Sequence, residues 1–383
     1  MSLPTNITLS FHPRLNQISK DKGLRDGLSA VVQIADTLWV ANDEGTSLER
    51  LAPIKSHKPG IMTFGRHERF PLADLLRLPP KVKSLKNQPE VDVEGLAYAD
   101  GYLWLVGSHS LIRRKPTLDD GPKKARQQLQ QVNRRGNRYL LARVPVEETN
   151  GISMLVTKVT EDGTKRRAAQ LRGDDCGNDL TEALCRDDHL GSYLSIPGKD
   201  NGFDIEGLAV VGTRLFLGLR GPVLRGWAVI LEIAVKEHPR HASLLKLRSI
   251  GPQGRLYRKH FLHLEGLGIR DLCAQGSDLL ILAGPTMSLE GPVRVFRWKG
   301  GTDQKGESMV PREKLDHLLD VPHGHDVGHA EGMTLFSSNG GQTDSLMVVY
   351  DSIPKKRQSE ACIVTADLFP LPGKPQSRTH LVP

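Results

Sequence analysis

Cysteine is scarce, with four residues in 383. Cys176, Cys185, Cys273 and Cys362 form no Cys-x-x-Cys pair, which argues against a disulfide-built scaffold. Cys176 and Cys185 share one polar stretch and are expected as free thiols in a reducing compartment. Long hydrophobic runs are also missing. No stretch approaches the ~20 apolar residues that cross a bilayer, and the opening Met1-Ser-Leu-Pro-Thr-Asn6 has neither the basic start nor the apolar core of a secretion signal. A membrane role is therefore not expected, and a cytoplasmic location is. Three catalytic signatures are absent: the Gly-x-Ser-x-Gly elbow, the P-loop and the Gly-x-Gly-x-x-Gly phosphate turn. What is plentiful is Gly (38) and Pro (24), which suits many turns between short strands.

The charge balance is +8, and much of it is local. Arg113-Arg114-Lys115, Lys123-Lys124, Arg126, Arg134-Arg135 and Arg138 crowd residues 113–138, with helix expected through 125–132. Such a basic insertion is either a solvated excursion or a patch for a protein or polyanion partner. Interleaved aromatics are lacking there, so base stacking is not expected.

One short string recurs: Asp92-Val-Glu94-Gly-Leu-Ala97, Phe203-Asp-Ile-Glu206-Gly-Leu208, His263-Leu-Glu265-Gly-Leu-Gly268 and His329-Ala-Glu331-Gly-Met-Thr334. Each opens an apolar run, then a turn, then a second apolar run. Aligning Trp39 with Trp104 adds a fifth copy, with Ser29 where Glu94 stands. Repeats of three or four short strands point to an all-β propeller, residues 1–383 as one domain. Five blades are favoured, and a sixth is possible within 139–159. The last copy lacks a strand and the alternating Ile7-Thr-Leu-Ser-Phe11 has no partner. That N-terminal strand is expected to close the ring, which removes exposed sheet edges. Residues 160–199, polar and irregular, are expected to cover one mouth, and 314–319 reads as a short helix.

In a propeller the first strand of each blade lines the channel, so Glu94, Glu206, Glu265 and Glu331 are expected to converge near one mouth. Asp43, Ser108, Arg220, Ala283 and Asp351, after the second strands, form a neighbouring rim. Two readings stay open. Recurring Glu side chains can clasp backbone N–H groups of the next blade. Alternatively, Glu94, Glu206, Glu265, Glu331 and Asp43 can hold a divalent cation, Ca or Mg, through oxygen ligands. Arg220 and Arg270 can orient an anion through their planar forks, or pair internally with the ring carboxylates. Arg220, Arg270, Ser108 and Asp351 are the ligand-binding candidates. Glu206, Arg220 and His109 are the catalytic ones, His109 as general base by location. The loop His323-Gly-His325-Asp-Val-Gly-His329 is a possible transition-metal site or an exposed loop.

Several strings taken together resemble a mainly bacterial family catalogued as a domain of unknown function: Leu105-Val-Gly-Ser-His-Ser110, Pro197-Gly-Lys-Asp-Asn-Gly-Phe-Asp-Ile-Glu-Gly-Leu208, Gly218-Leu-Arg-Gly-Pro222, Gly268-Ile-Arg-Asp-Leu272 and Leu282-Ala-Gly-Pro-Thr-Met287. The resemblance spans nearly the whole chain and implies a propeller-like fold without a reaction. More distantly, the Glu-Gly-Leu openings, Glu94 and Glu206 best, resemble gluconolactonase-like and phytase-like esterase propellers. In gluconolactonase-like relatives, channel carboxylates and amides hold a divalent cation. The expected function is a metal-assisted hydrolase of a small anionic ester, phosphoester or lactone at the channel mouth. The alternative is a non-catalytic module that binds a protein or polyanion through its loops.

Overall fold

The computed structural model describes residues 5–19, 22–56, 61–79, 89–287, 289–324, 326–338, 343–354, 357–358 and 362–371. Period-two apolar runs broken by Gly- and Asp-containing turns give short antiparallel strands, arranged in five consecutive units. Unit one is Leu28–Ile34, Thr37–Asn42, Ser47–Ile54 and Thr63–Pro71. Unit two begins with Val93–Ala99 and Tyr102–Gly107, and Leu141–Thr149 pairs with the latter. Ile152–Leu155 and Ala169–Leu171 extend it. Unit three is Asp204–Val211, Arg214–Gly221 and Trp227–His238, flanked by His241–Leu247 and Tyr257–His263. Unit four is Gly268–Gln275, Asp278–Gly284, Val293–Trp298 and Leu315–Val321. Unit five is His329–Phe336, Ser345–Asp351 and Ile363–Pro370, and the N-terminal Thr5–Ser10 pairs antiparallel with Ile363–Pro370.

The first strands of successive units touch one another in order, and that of unit five touches that of unit one. The chain is thus mostly β and propeller-like. Its core lies in the layers between neighbouring sheets. Trp39, Leu48, Leu105 and Val144 pack between units one and two. Leu171, Leu208, Leu217 and Val229 pack between two and three, and Phe216, Ile269 and Phe296 between three and four. Because the second strands are covered on both faces, Thr37–Asn42 and Tyr102–Gly107 are buried at all positions. Parallel pairings join the outer strands of adjacent units at Thr8–Thr63 and Gln170–Leu244, so those edges are not left bare.

Residues 315–321 form a strand, not the helix expected at 314–319. Leu315, Leu319 and Val321 are buried against Val293–Trp298, and sheet pairing outweighs a short helical propensity. The basic insertion contains the helix Pro122–Gln130. Several of its cations are paired with acids: Arg135 and Arg138 reach Glu90, and the Arg113 Nε donates to Asp200 at 2.6 Å. The covering segment has regular structure, with a hairpin of Lys158–Glu161 and Thr164–Arg167 and the helix Asp179–Leu184. The Asn178 side chain caps that helix by accepting from the Leu180 and Thr181 N–H groups. Among the described residues no helix is long and apolar enough to cross a membrane.

All five first strands carry a β-bulge at the same place. The register skips Ser29, Glu94, Glu206, Arg270 and Glu331. The next residue in three units is glycine, where the inner strands approach most closely. A Cβ on Gly95 would lie 2.7 Å from Leu208, and one on Gly332 would lie 2.9 Å from the Ala30 Cα. Unit four has Asp271 there. Its carboxylate accepts from Met333 N–H and Leu272 N–H, each at 2.7 Å, and from Leu208 N–H. One side chain thereby ties together units three, four and five. Asp271→Ala would leave three buried donors unsatisfied, at ~1 kcal/mol or more each. The expected loss is about 3 kcal/mol, read as a lower urea midpoint at unchanged slope, with a smaller loss for Asp271→Asn. A midpoint equal to the parent's for both variants would refute the clasp.

Candidate functional site

The bulges aim one residue per unit at the mouth of the channel, as bulges do where they re-aim side chains. This first ring is Ser29, Glu94, Glu206, Arg270 and Glu331. The register places a second ring beside it, from the ends of the second strands: Asp43, Ser108, Arg220, Gly284 and Asp351. Two expectations change here. Glu265 is not in the ring. It sits in the left-handed region (φ 60°) of the loop before unit four, exposed, between Arg294 and Arg312. Arg270 holds its place. In the second ring the unit-four position is Gly284, not Ala283, and a Cβ there would lie 3.1 Å from the Arg270 stem. A large residue in one ring thus stands over a small one in the other.

Opposite charges alternate along one wall. Arg220 pairs with Asp204 and, at 2.6 Å, with Glu206. Arg270 pairs with Glu206 at 3.1 Å and with Glu331. All five lie on inner or second strands of units three, four and five. Arg220 and Arg270 are each 8% exposed. Burial alone would lower the Arg220 pKa, but Asp204 and Glu206 outweigh it and hold the guanidinium charged. Burial raises Glu206 against the pull of both arginines, and raises Glu331 well above the usual carboxylate range against Arg270. A second cluster lies towards unit two. Arg138 binds Asp92 at 2.8 Å, Glu90 at 3.0 Å and the Ser110 hydroxyl at 2.9 Å. Ser108 is buried in this cluster, its hydroxyl 3.0 Å from that of Ser110.

Once these pairs are drawn, Asp43, Glu94 and Asp351 remain with no ion pair to any described cation. They lie on the side of units five, one and two. Burial pushes Asp43 up to about 7, and Asp351 and Asp92 add to it by repulsion. Burial pushes Glu94 well above the ordinary range, reinforced by Asp92, Glu206 and Glu331. Among the described residues no three His, Cys, Asp or Glu side chains gather in a metal-holding arrangement. The carboxylates expected as ligands are divided: Glu206 and Glu331 face arginines, Glu265 lies outside, and Glu94 and Asp43 remain.

His109 takes a structural position. Gly107 O can only accept, so the His109 Nδ1–H donates to it at 2.7 Å, and the Asn178 Nδ2 donates to Nε2 at 2.7 Å. Both ring nitrogens are occupied, and burial lowers the pKa to about 4. The neutral ring anchors the capped helix of the covering segment rather than opening onto the mouth. In the histidine loop, His329 faces Glu290 at 3.2 Å and His323 lies 3.3 Å from Val321 O, while His325 lies outside the described residues.

A cavity of about 200 Å³ opens onto the charged wall. Arg220, Arg270, Glu331 and Asp351 line its floor, Lys199, His323 and His329 its rim, and Pro285, Met287, Leu289 and Val293 an apolar side. Sequence reasoning missed Lys199, Asp92, Asp204 and Asp271. The Lys199-Asp200-Asn201-Gly202 string was a signal for the first, whereas the partners of Asp271 come from three units.

A sequence profile of one family matches residues 27–367. The chain belongs to DUF3616, a family described as proteins of unknown function. No curated protein matches the sequence. Among solved structures, the DUF3616 chain is similar to a glutaminyl cyclase of Myxococcus xanthus, at 10% identity over 97% of both chains and a TM-score of 0.36. It is also similar to the PQQ-bound aldose sugar dehydrogenase of Streptomyces coelicolor, at 10% identity over 96% of this chain and 100% of that one, TM-score 0.32. The WD40 β-propeller domain of Doa1 is similar at 8% identity over 96% of each, TM-score 0.31. Likeness at this level carries no information about chemistry.

The raised pKa of Asp43 has a consequence for stability. Its folded value, about 7, lies above the ordinary 3.8, so the folded chain keeps a proton that the unfolded chain releases. The associated stability is present in acid and is lost as pH rises through 7. Asp43→Asn is therefore expected to match the parent's Tm near pH 4 and exceed it at pH 8. Calorimetry across that range checks this, and parallel curves would contradict it.

Proposed function

We propose that this DUF3616 protein is a hydrolase of a small ester, phosphoester or lactone bound at the channel mouth. The observation that carries this reading is the group of carboxyls outside the arginine pairs, Asp43, Glu94 and Asp351: Asp351 lines a cavity partly walled by apolar side chains, and Asp43 interacts electrostatically with both Asp351 and Glu94. Titratable groups with displaced pKa values in a concave site are where acid–base chemistry is found. Asp43, near 7, is ionised in a useful fraction at neutral pH and can accept a proton from water. Glu94, held protonated well above the ordinary range, can deliver one to the leaving oxygen. Two carboxyl groups whose environments separate their protonation states divide the roles of base and acid. The arginine–carboxylate ladder of Arg220, Glu206, Arg270 and Glu331 supports them as a rigid polar wall. No step in this reading passes through a metal ion. The pairing of Arg138, and of the exposed Arg135, with acids of the same unit favours this mouth over a polyanion surface.

The test is a panel of chromogenic carboxyl esters, phosphoesters and lactones, each run with chelator and with added Ca or Mg. The pH–rate profile is expected to rise through about pH 7 as Asp43 ionises. It should fall once Glu94 loses its proton. Asp43→Asn should abolish the rising limb, and both Asp43→Asn and Glu94→Gln should cost on the order of 10²-fold or more in kcat. No turnover on any class, or variants as active as the parent, would overturn the proposal. Activity lost to chelator and restored by one cation would replace the proton-transfer mechanism with a metal-assisted one.

A further inference from the structure

We infer that Lys199, and not the arginine pair, reads a negatively charged group on the substrate of this site. The inference rests on the hydrolytic reading above and narrows the substrate to one that carries an oxyanion away from the bond that breaks.

The arginines are poorly placed for that role. Their guanidinium groups bind Asp204, Glu206 and Glu331, so their N–H donors are already committed to carboxyl groups of the wall itself. Arg138 is held in the same way by Asp92 and Glu90. Lys199 lines the same cavity, is exposed, and is in no ion pair or hydrogen bond described for this structure. Its neighbour Asp200 is bound to Arg113 at 2.6 Å and so is held away from neutralising it.

The turn that carries Lys199 is built rigidly. Gly198 N–H donates to Leu111 O at 3.1 Å, and the Asp200 and Gly202 N–H groups both donate to Pro197 O, at 2.9 and 3.1 Å. Asn201 adopts the left-handed conformation (φ 63°), and its side chain accepts from Val223 N–H at 3.2 Å, which ties the turn to the chain just after Arg220. Position 202 admits only glycine, because a Cβ there would lie 1.9 Å from Ile196 O. A fixed backbone thus carries an ammonium on a flexible stem at the rim of a cavity whose arginines are already paired. A compact point charge with three donors suits a phosphate or carboxylate oxygen. The apolar side formed by Pro285, Met287 and Val293 takes the uncharged part of the same molecule.

The experiment compares two esters with the same leaving group, the anionic p-nitrophenyl succinate and the neutral p-nitrophenyl butyrate, with inorganic phosphate as a binding probe. Lys199→Gln is expected to raise KM for the anionic ester on the order of tenfold or more, the worth of one charge-assisted hydrogen bond. The kcat/KM ratio of anionic to neutral ester should fall by the same factor, and Lys199→Arg should restore most of it. Phosphate should raise the Tm of the parent and not that of Lys199→Gln, with the difference shrinking at high salt. An unchanged ratio in Lys199→Gln, or phosphate stabilising parent and variant equally, would overturn the inference while leaving the hydrolytic reading in place. Absence of turnover in the parent would overturn the hydrolytic reading, and the phosphate titration would still decide whether Lys199 binds an oxyanion.

Discussion

The inner strands of this protein approach one another closely at a single level, that of the bulges, and the rest of the structure depends on how that crowding is resolved. Where two backbones come this near, a side chain must be removed or must bond. Gly95, Gly207 and Gly332 take the first course, and Asp271 takes the second, its carboxylate accepting backbone N–H groups of units three, four and five. The same bulge that permits the approach turns one side chain per unit towards the mouth. Architecture and site are therefore consequences of one local irregularity, repeated five times.

Concentrating acidic side chains at a partly buried mouth is unfavourable unless cations accompany them. The chain supplies Arg220 and Arg270 on one side, where the cluster joins units three, four and five, and Arg138 on the other, where the cluster lies within unit two. This arrangement satisfies most of the buried charge but not all of it. Asp43 and Glu94 are left to meet the cost by holding protons more tightly, which displaces their titration upward. The feature that strains the fold is the one that equips the mouth for proton transfer.

Much of this was legible in the residues. The repeat announced the strand pairs, and the Trp39–Trp104 alignment placed Ser29 at the position where its bulge is found. The misreading of Glu265 is instructive, because its Glu-Gly-Leu string is a good local copy in the wrong frame. The better signal was the apolar frame around the bulge: Ile205 and Leu208 in unit three match Ile269 and Leu272 in unit four, which puts Arg270 opposite Glu206. Core packing constrains those apolar positions tightly, whereas the bulged residue between them is free to vary. His109 was noted for its place after a strand, but its role is set by Asn178, 69 residues away. No local pattern could show that both its nitrogens are occupied.

By itself the sequence determined most of the strand-forming segments and their order, and four of the five bulged positions, because strand periodicity, turn residues and the apolar frame are local properties of the chain. Only the tertiary structure decided which carboxylates are neutralised and which are not. Ion pairing and burial depend on distances between units far apart in sequence, as with Arg270 and Glu331. The charge of a side chain is written in the chain, but its protonation is a property of the neighbours that folding brings to it.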